Sequence, residues 1–164
     1  MDADYFVTLA RYNRWANQRL YRACAACPDS ERHRPRPSFF GSIHATLNHI
    51  LVGDTAWIGR IEGKDYGITA LNQILYPDFD ELAAARAAFD DHMVTVVAGL
   101  GTDGIERVLT YRTMAGMETE TEMRWVLAHM FNHGTHHRGQ VHDMLSQTAV
   151  PPPPLDLIYH LREG

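Results

Sequence analysis

The sequence predicts an all-α protein: a four-helix bundle with a short extended excursion before its fourth helix and a short C-terminal helix. Three observations carry that prediction. Apolar residues recur at three- and four-residue intervals through four separate stretches. Prolines, glycines and capping residues punctuate the gaps between them. Between the third and fourth of these stretches, the short run Val108-Leu109-Thr110-Tyr111 has the composition of a strand. With 164 residues the chain suits a single domain, 1–164, able to bury a proper core.

The first helix is expected over 3–27. Tyr5, Leu9, Tyr12, Ala16, Leu20, Ala23 and Cys27 keep a near-heptad stripe, and Pro28 ends it. Asn13 and Asn17 on this helix read as exposed or structural. Residues 32–37 form a basic, proline-punctuated loop. Ser38 then offers an N-cap for a second helix running to about Ile61, with Phe39, Ile43, Leu47, Ile50, Trp57 and Ile61 as its stripe. A glycine-broken loop covers 63–77. Asp78, with Glu81 three residues on, opens a third helix as a capping box. Leu82, Phe89, Met93, Val96 and Leu100 line it, and Gly101 is its natural stop. The β-prone run and Ala115-Gly116 predict a hairpin or extended segment. Thr119 with Glu122 repeats the capping signal before a fourth helix over about 120–147. Pro151 to Pro154 stiffen the connection to a last helix, 155–162, whose Leu155, Ile158, Tyr159 and Leu161 are expected to pack on the bundle.

Composition excludes several functions. The net charge of −5, with no basic stripe, argues against nucleic acid as a partner. The opening residues Met1-Asp2-Ala3-Asp4 lack the apolar core of a signal peptide, and no apolar run is long enough for a membrane span. A cytoplasmic protein acting on a small molecule is expected. Cys24 and Cys27 form C-x-x-C, but no second pair completes a zinc site, and the motif ends a helix instead of starting one. They read as small buried thiols.

The strongest chemical signal is the run from His129 to His142, which holds five of ten histidines. On a helix, His133 and His137 are i and i+4 and share a face. Met123, Leu127, Met130, Gly134, Val141 and Leu145 define the apolar stripe. His137 falls inside it and His133 at its edge, while His129 and His136 lie further round. An inward imidazole needs a partner for its nitrogens, and a metal ion supplies one. His133 and His137 are therefore the preferred pair, ahead of His129 and His133. The protease motif H-E-x-x-H is absent, since Gly134 follows His133. On the second helix His44 lies on a crowded apolar flank. His49 has Ser42, Thr46, Gly53 and Ala56 for neighbours, all small, which makes it a candidate third ligand. Asp54 is a candidate fourth ligand or hydrogen-bond acceptor, about 140° round the helix from His49. His92 reads as structural.

Taken together, Tyr12-Asn13-Arg14-Trp15-Ala16-Asn17, Asn48-His49-Ile50-Leu51 with Asp54 and Trp57, His129 through Gln140, and Pro154-Leu155-Asp156-Leu157-Ile158 resemble the DinB/YfiT-like family. These stretches cover nearly the whole chain in order. The resemblance implies a four-helix bundle with an unusual crossover. It also implies a divalent ion, zinc or nickel, held by His49, His133 and His137, with further coordination positions open. Related members include transferases that use a low-molecular-weight thiol, and a thiol-dependent isomerase, and many are dimers. The implied function is a metal-dependent thiol S-transferase or detoxification enzyme, acting as a homodimer. A metal-dependent hydrolase and a non-catalytic metal-binding stress-response protein are the alternatives. Arg138 is a candidate for binding a substrate carboxylate, set against a packing role. Metal binding is expected to weaken below about pH 6 as protons compete for the imidazoles.

Overall fold

The computed structural model describes residues 2–163. It is mostly helical, with one two-stranded sheet. In order, the elements are α1 (Ala3–Ala25), α2 (Asp29–His33), α3 (Ile43–Glu62), α4 (Phe79–Glu106), β1 (Val108–Arg112), β2 (Glu118–Glu122), α5 (Met123–Ser146) and α6 (Leu157–Glu163). The four long helices α1, α3, α4 and α5 pack against one another; α1 lies along α4 and α5, and α3 lies along α5 and α4. No described helix is long and apolar enough to cross a membrane.

Local chemistry accounts for most of the boundaries. The Asp2 carboxylate accepts the Tyr5 amide, and the Asp78 carboxylate accepts that of Glu81. The expected opening of α3 at Ser38 is not what forms. Gly41 has φ 80°, a left-handed conformation that a continuous helix cannot contain. The helix starts after it, with Ser42 Oγ accepting from Ala45 N at 3.1 Å. Phe39 is thereby released from the core and is 85% exposed. Gly101 ends the long helical run of α4 as expected: at φ 57° and ψ −169° it is non-helical, and a short second helical run follows across this break to Glu106. Thr119 and Glu122 do not form a capping box. They pair in the antiparallel hairpin, opposite Tyr111 and Val108, and α5 begins without a side-chain cap.

The C-terminal helix packs differently from expectation. Leu155 joins the core, but Ile158, Tyr159 and Leu161 of α6 are exposed. What holds α6 is polar and aromatic: Glu163 accepts from Trp15 Nε1 and Arg19, and His160 lies against the rings of Tyr12 and Trp15. On α1 the buried face is broader than the expected stripe. Tyr12, Ala16, Leu20 and Cys27 are buried as expected, Phe6, Ala10, Asn13, Asn17 and Cys24 join them, and Tyr5 is exposed.

Those two asparagines belong to a buried polar network that divides the core. One apolar cluster includes Phe6, Ile58, Met93 and Met130; the other includes Leu20, Ile50, Leu82 and Val141. Between them on each long helix lie the polar residues. Arg86 Nη1 and Nη2 each donate at 2.7 Å, to Asp54 Oδ2 and Asp90 Oδ1. Asn17 Nδ2 donates to both Asp90 oxygens, at 3.0 and 3.2 Å, and Asn13 Nδ2 reaches Oδ1. Arg138 closes the network by donating to Asn13 Oδ1 and to Thr135 Oγ1. Two arginines and two aspartates balance in charge. Removing one member of such a buried pair strands the other, at a cost of about 3–5 kcal/mol. Arg86→Met is thus expected to destabilise the protein by about that amount, read from the shift in its urea denaturation midpoint.

Candidate metal centre

Three elements bring the site together. His49 comes from the middle of α3, His133 and His137 from successive turns of α5, and the 63–77 loop folds back over them. The i,i+4 spacing on α5 aligns two rings, as the periodicity predicts. The approach of α3 to α5 depends on Gly53, whose added Cβ would stand 2.8 Å from His133 Cε1. Any side chain at position 53 would push that ring away from the centre.

The result is a convergence of three nitrogens. His49 Nε2 lies 3.1 Å from His133 Nε2 and 3.2 Å from His137 Nε2. The outer nitrogens decide which atoms carry protons. His49 Nδ1 donates to the Leu71 carbonyl at 2.7 Å, and His137 Nδ1 donates to Gln140 Oε1 at 2.8 Å. Gln140 in turn donates from Nε2 to His136 Nε2 at 3.2 Å. With Nδ1 protonated, the Nε2 atoms of His49 and His137 present bare lone pairs inward. His133 Nδ1 is buried without a hydrogen-bond partner among the described residues. One N–H on His133 cannot satisfy both facing acceptors, whereas a cation at the centre satisfies all three. These separations are those of imidazoles gathered around an ion at about 2.0–2.2 Å.

Burial favours the neutral, ligating form. Desolvation pulls all three imidazoles below the ordinary histidine range. His133 falls furthest, to about 3, because His137 and His49 also oppose a positive charge there. A cavity of about 380 Å³ opens onto the triad, with Phe39, Phe40 and Leu71 as its apolar wall and His136 and Gln140 at its polar edge. Phe40 stacks on His49 with ring centroids 3.8 Å apart.

The other candidates go elsewhere. His129 is exposed and sits against Trp57. His44 Nε2 meets the Tyr76 carbonyl, and His92 pairs with Glu62. Asp54 faces Arg86, so it takes no part in the triad, and Arg138 is buried in the same network, which leaves it no access to a substrate carboxylate. Cys24 and Cys27 are free and buried, and burial pushes the Cys24 thiol up to about 12. Sequence reasoning gave no role to Leu71, Gln140 or Phe40. Gln140 had a readable signal, its i+3 spacing from His137. Leu71 had none, because a carbonyl contact from a loop carries no side-chain signature.

The DinB family profile matches residues 1–163. The chain belongs to the DinB family. It is also similar to Protein DinB of Bacillus subtilis (strain 168), with 26% identity over 160 residues, 94% of this chain and 92% of that protein. For this DinB-family chain the depressed imidazole pKa values set a pH dependence. The folded site takes up protons later on acidification than a free histidine near 6.5 would, so acid competes less with a bound ion. The midpoint of metal release is expected to fall below about pH 6, measured with a chromophoric chelator across an acid titration.

Proposed function

We propose that this DinB-family protein is a four-helix-bundle metalloenzyme in which His49, His133 and His137 hold one divalent ion, zinc or nickel. The observation that carries the reading is the convergence of three Nε2 atoms, two of them fixed in the ligating tautomer by oxygen acceptors on their Nδ1 atoms. Three ligands are the number usual at catalytic zinc sites, where structural sites are closed by four. The ion would supply a Lewis acid that favours the deprotonated form of a thiol or of water.

The protein's own groups suit a thiol S-transferase using a low-molecular-weight thiol and an organic electrophile. Phe39, Phe40 and Leu71 give the cavity an apolar wall for the electrophile. His136 and Gln140 place polar groups at its edge for the thiol's remaining functional groups. Phe40 also covers one face of His49 and restricts water there.

The test has two readouts. Untagged single variants are analysed for metal, then assayed for thiol-dependent consumption of an electrophile. His49→Ala, His133→Ala and His137→Ala are expected to lose stoichiometric metal and activity, while His129→Ala keeps both. Gln140→Leu is expected to weaken metal affinity by about 10–100-fold, because it removes the acceptor that orients His137. Retention of metal by His49→Ala and His133→Ala, with loss in His129→Ala, would overturn the ligand assignment. Turnover of an ester or amide without any thiol would reassign the chemistry to hydrolysis. The working unit is further proposed to be a homodimer in the cytoplasm; light scattering that gives a monomer mass at micromolar concentration would sink the dimer alone.

A further inference from the structure

A second cavity lies away from the histidines. It measures about 780 Å³ and is walled by the C-terminal half of α3, the loop after it and the hairpin turn. Gly59 makes room for that loop: a Cβ there would stand 2.7 Å from the Lys64 carbonyl and 3.0 Å from the Tyr66 ring. Arg60 projects into the space. Its guanidinium lies 4.4 Å from the Trp57 ring centroid and 5.1 Å from that of Tyr111.

Arg60 is unusual among the buried or half-buried arginines. Arg32, Arg36, Arg86 and Arg138 all donate to carbonyls, carboxylates or amides. The Arg60 guanidinium has no hydrogen-bond or ion-pair partner among the described residues, and burial lowers its pKa. Its position in the last turn of α3 suits a cation. That field does not occupy its N–H donors, since the nearby carbonyls of Gly59 and Arg60 already accept from Lys64 N and Gly63 N. The aromatic rings engage guanidinium faces and leave the N–H edge for a planar anion. The lining also carries Lys64 and Arg112 against a single carboxylate, Asp65, in a protein whose net charge is −5. Lys64 is paired with Glu62, Arg112 donates to the Gly116 carbonyl, and Asp65 accepts the Gly67 amide, so Arg60 is the lining cation with no hydrogen-bond partner among the described residues.

We propose that this cavity binds a small aromatic carboxylate, with Arg60 as its bidentate anchor and Tyr66, Tyr111, Ile68 and Met114 as the apolar wall. A carboxylate fits better than a phosphate dianion, because one open guanidinium balances one negative charge. The site stands independently of the three-histidine reading. Eleven residues separate His49 from Arg60, which puts them on the same flank of α3 within about 20° but about 16 Å apart along its axis. A small carboxylate held by Arg60 therefore does not reach the imidazoles.

Calorimetric titration of the metal-free protein with phenylacetate tests the assignment, with phenylacetamide and inorganic phosphate as comparisons. Phenylacetate is expected to bind saturably at one site, equally well in the wild type and in His133→Ala. Arg60→Met, which keeps the stem and its packing, is expected to weaken it about tenfold or more, as is the switch to phenylacetamide. Arg60→Lys should fall between, because charge is kept and the fork is lost. The circular dichroism and thermal midpoint of each variant establish that it is folded, and Arg60→Gln replaces Arg60→Met if that variant is not. Absence of saturable phenylacetate binding, equal binding by folded Arg60→Met or Arg60→Gln, or equal binding of phenylacetamide overturns the proposal. Loss of binding in His133→Ala would place the carboxylate at the histidines, and tighter Arg60-dependent binding of phosphate would make this a phosphate site; either outcome also overturns it.

Discussion

Arg86 is fully buried between two aspartates, and the arrangement of the four long helices depends on that contact. A guanidinium enters a core at acceptable cost only where neighbouring groups supply acceptors and opposite charge. Here α3 contributes Asp54, α4 contributes Asp90, and α1 contributes Asn13 and Asn17 to Asp90 and Arg138. Apolar contacts tolerate sliding and rotation at modest cost. Directional contacts at 2.7 Å do not. The network thus fixes the axial register and rotation of the helices, while the apolar clusters above and below it supply the burial.

The histidine centre inherits its geometry from that frame. Asp54 follows Gly53, the residue that lets His133 approach α3; Arg138 follows His137. Gly134, next to His133, gives Arg138 and Asn13 room, since a Cβ there would lie 3.0 Å from Arg138 Nη1 and 3.2 Å from Asn13 Oδ1. Each ligand-bearing stretch is therefore anchored on one side by the charged network and opens on the other to the cavity. Rigid helices hold the Nε2 atoms, and the 63–77 loop contributes the Leu71 carbonyl that sets the His49 tautomer. That division is useful at a metal site, where ligand positions must be fixed and the entrance has to admit a substrate.

Long elements were more legible than their ends. The N-cap at Asp78, the hairpin and the inward pair on α5 follow from local chemistry, and they form as the sequence predicts. The start of α3 was misread because Ser38 and Ser42 are both good caps, and what separates them is the left-handed Gly41. On α1 the asparagines were set aside as polar, which narrowed the apparent stripe. Polar residues in a core become visible only once their partners are placed.

His49 marks the boundary between what the chain encodes locally and what its packing decides. From Thr46 to Thr55 every residue of α3 is buried, so that helix lacks the contrast between faces on which periodicity depends. The residues alone could offer His49 only as a candidate, and the family resemblance, rather than its periodicity, singled it out. By itself the sequence determined the helical class, the approximate helices and the alignment of His133 with His137, because each rests on contacts within a few residues. Tertiary structure decided which histidine of α3 meets that pair, which nitrogen His49 turns inward, and that Asp54 and Arg138 belong to the frame instead of the site. Those outcomes depend on partners 22 to 125 residues away in the chain, beyond the reach of any local pattern.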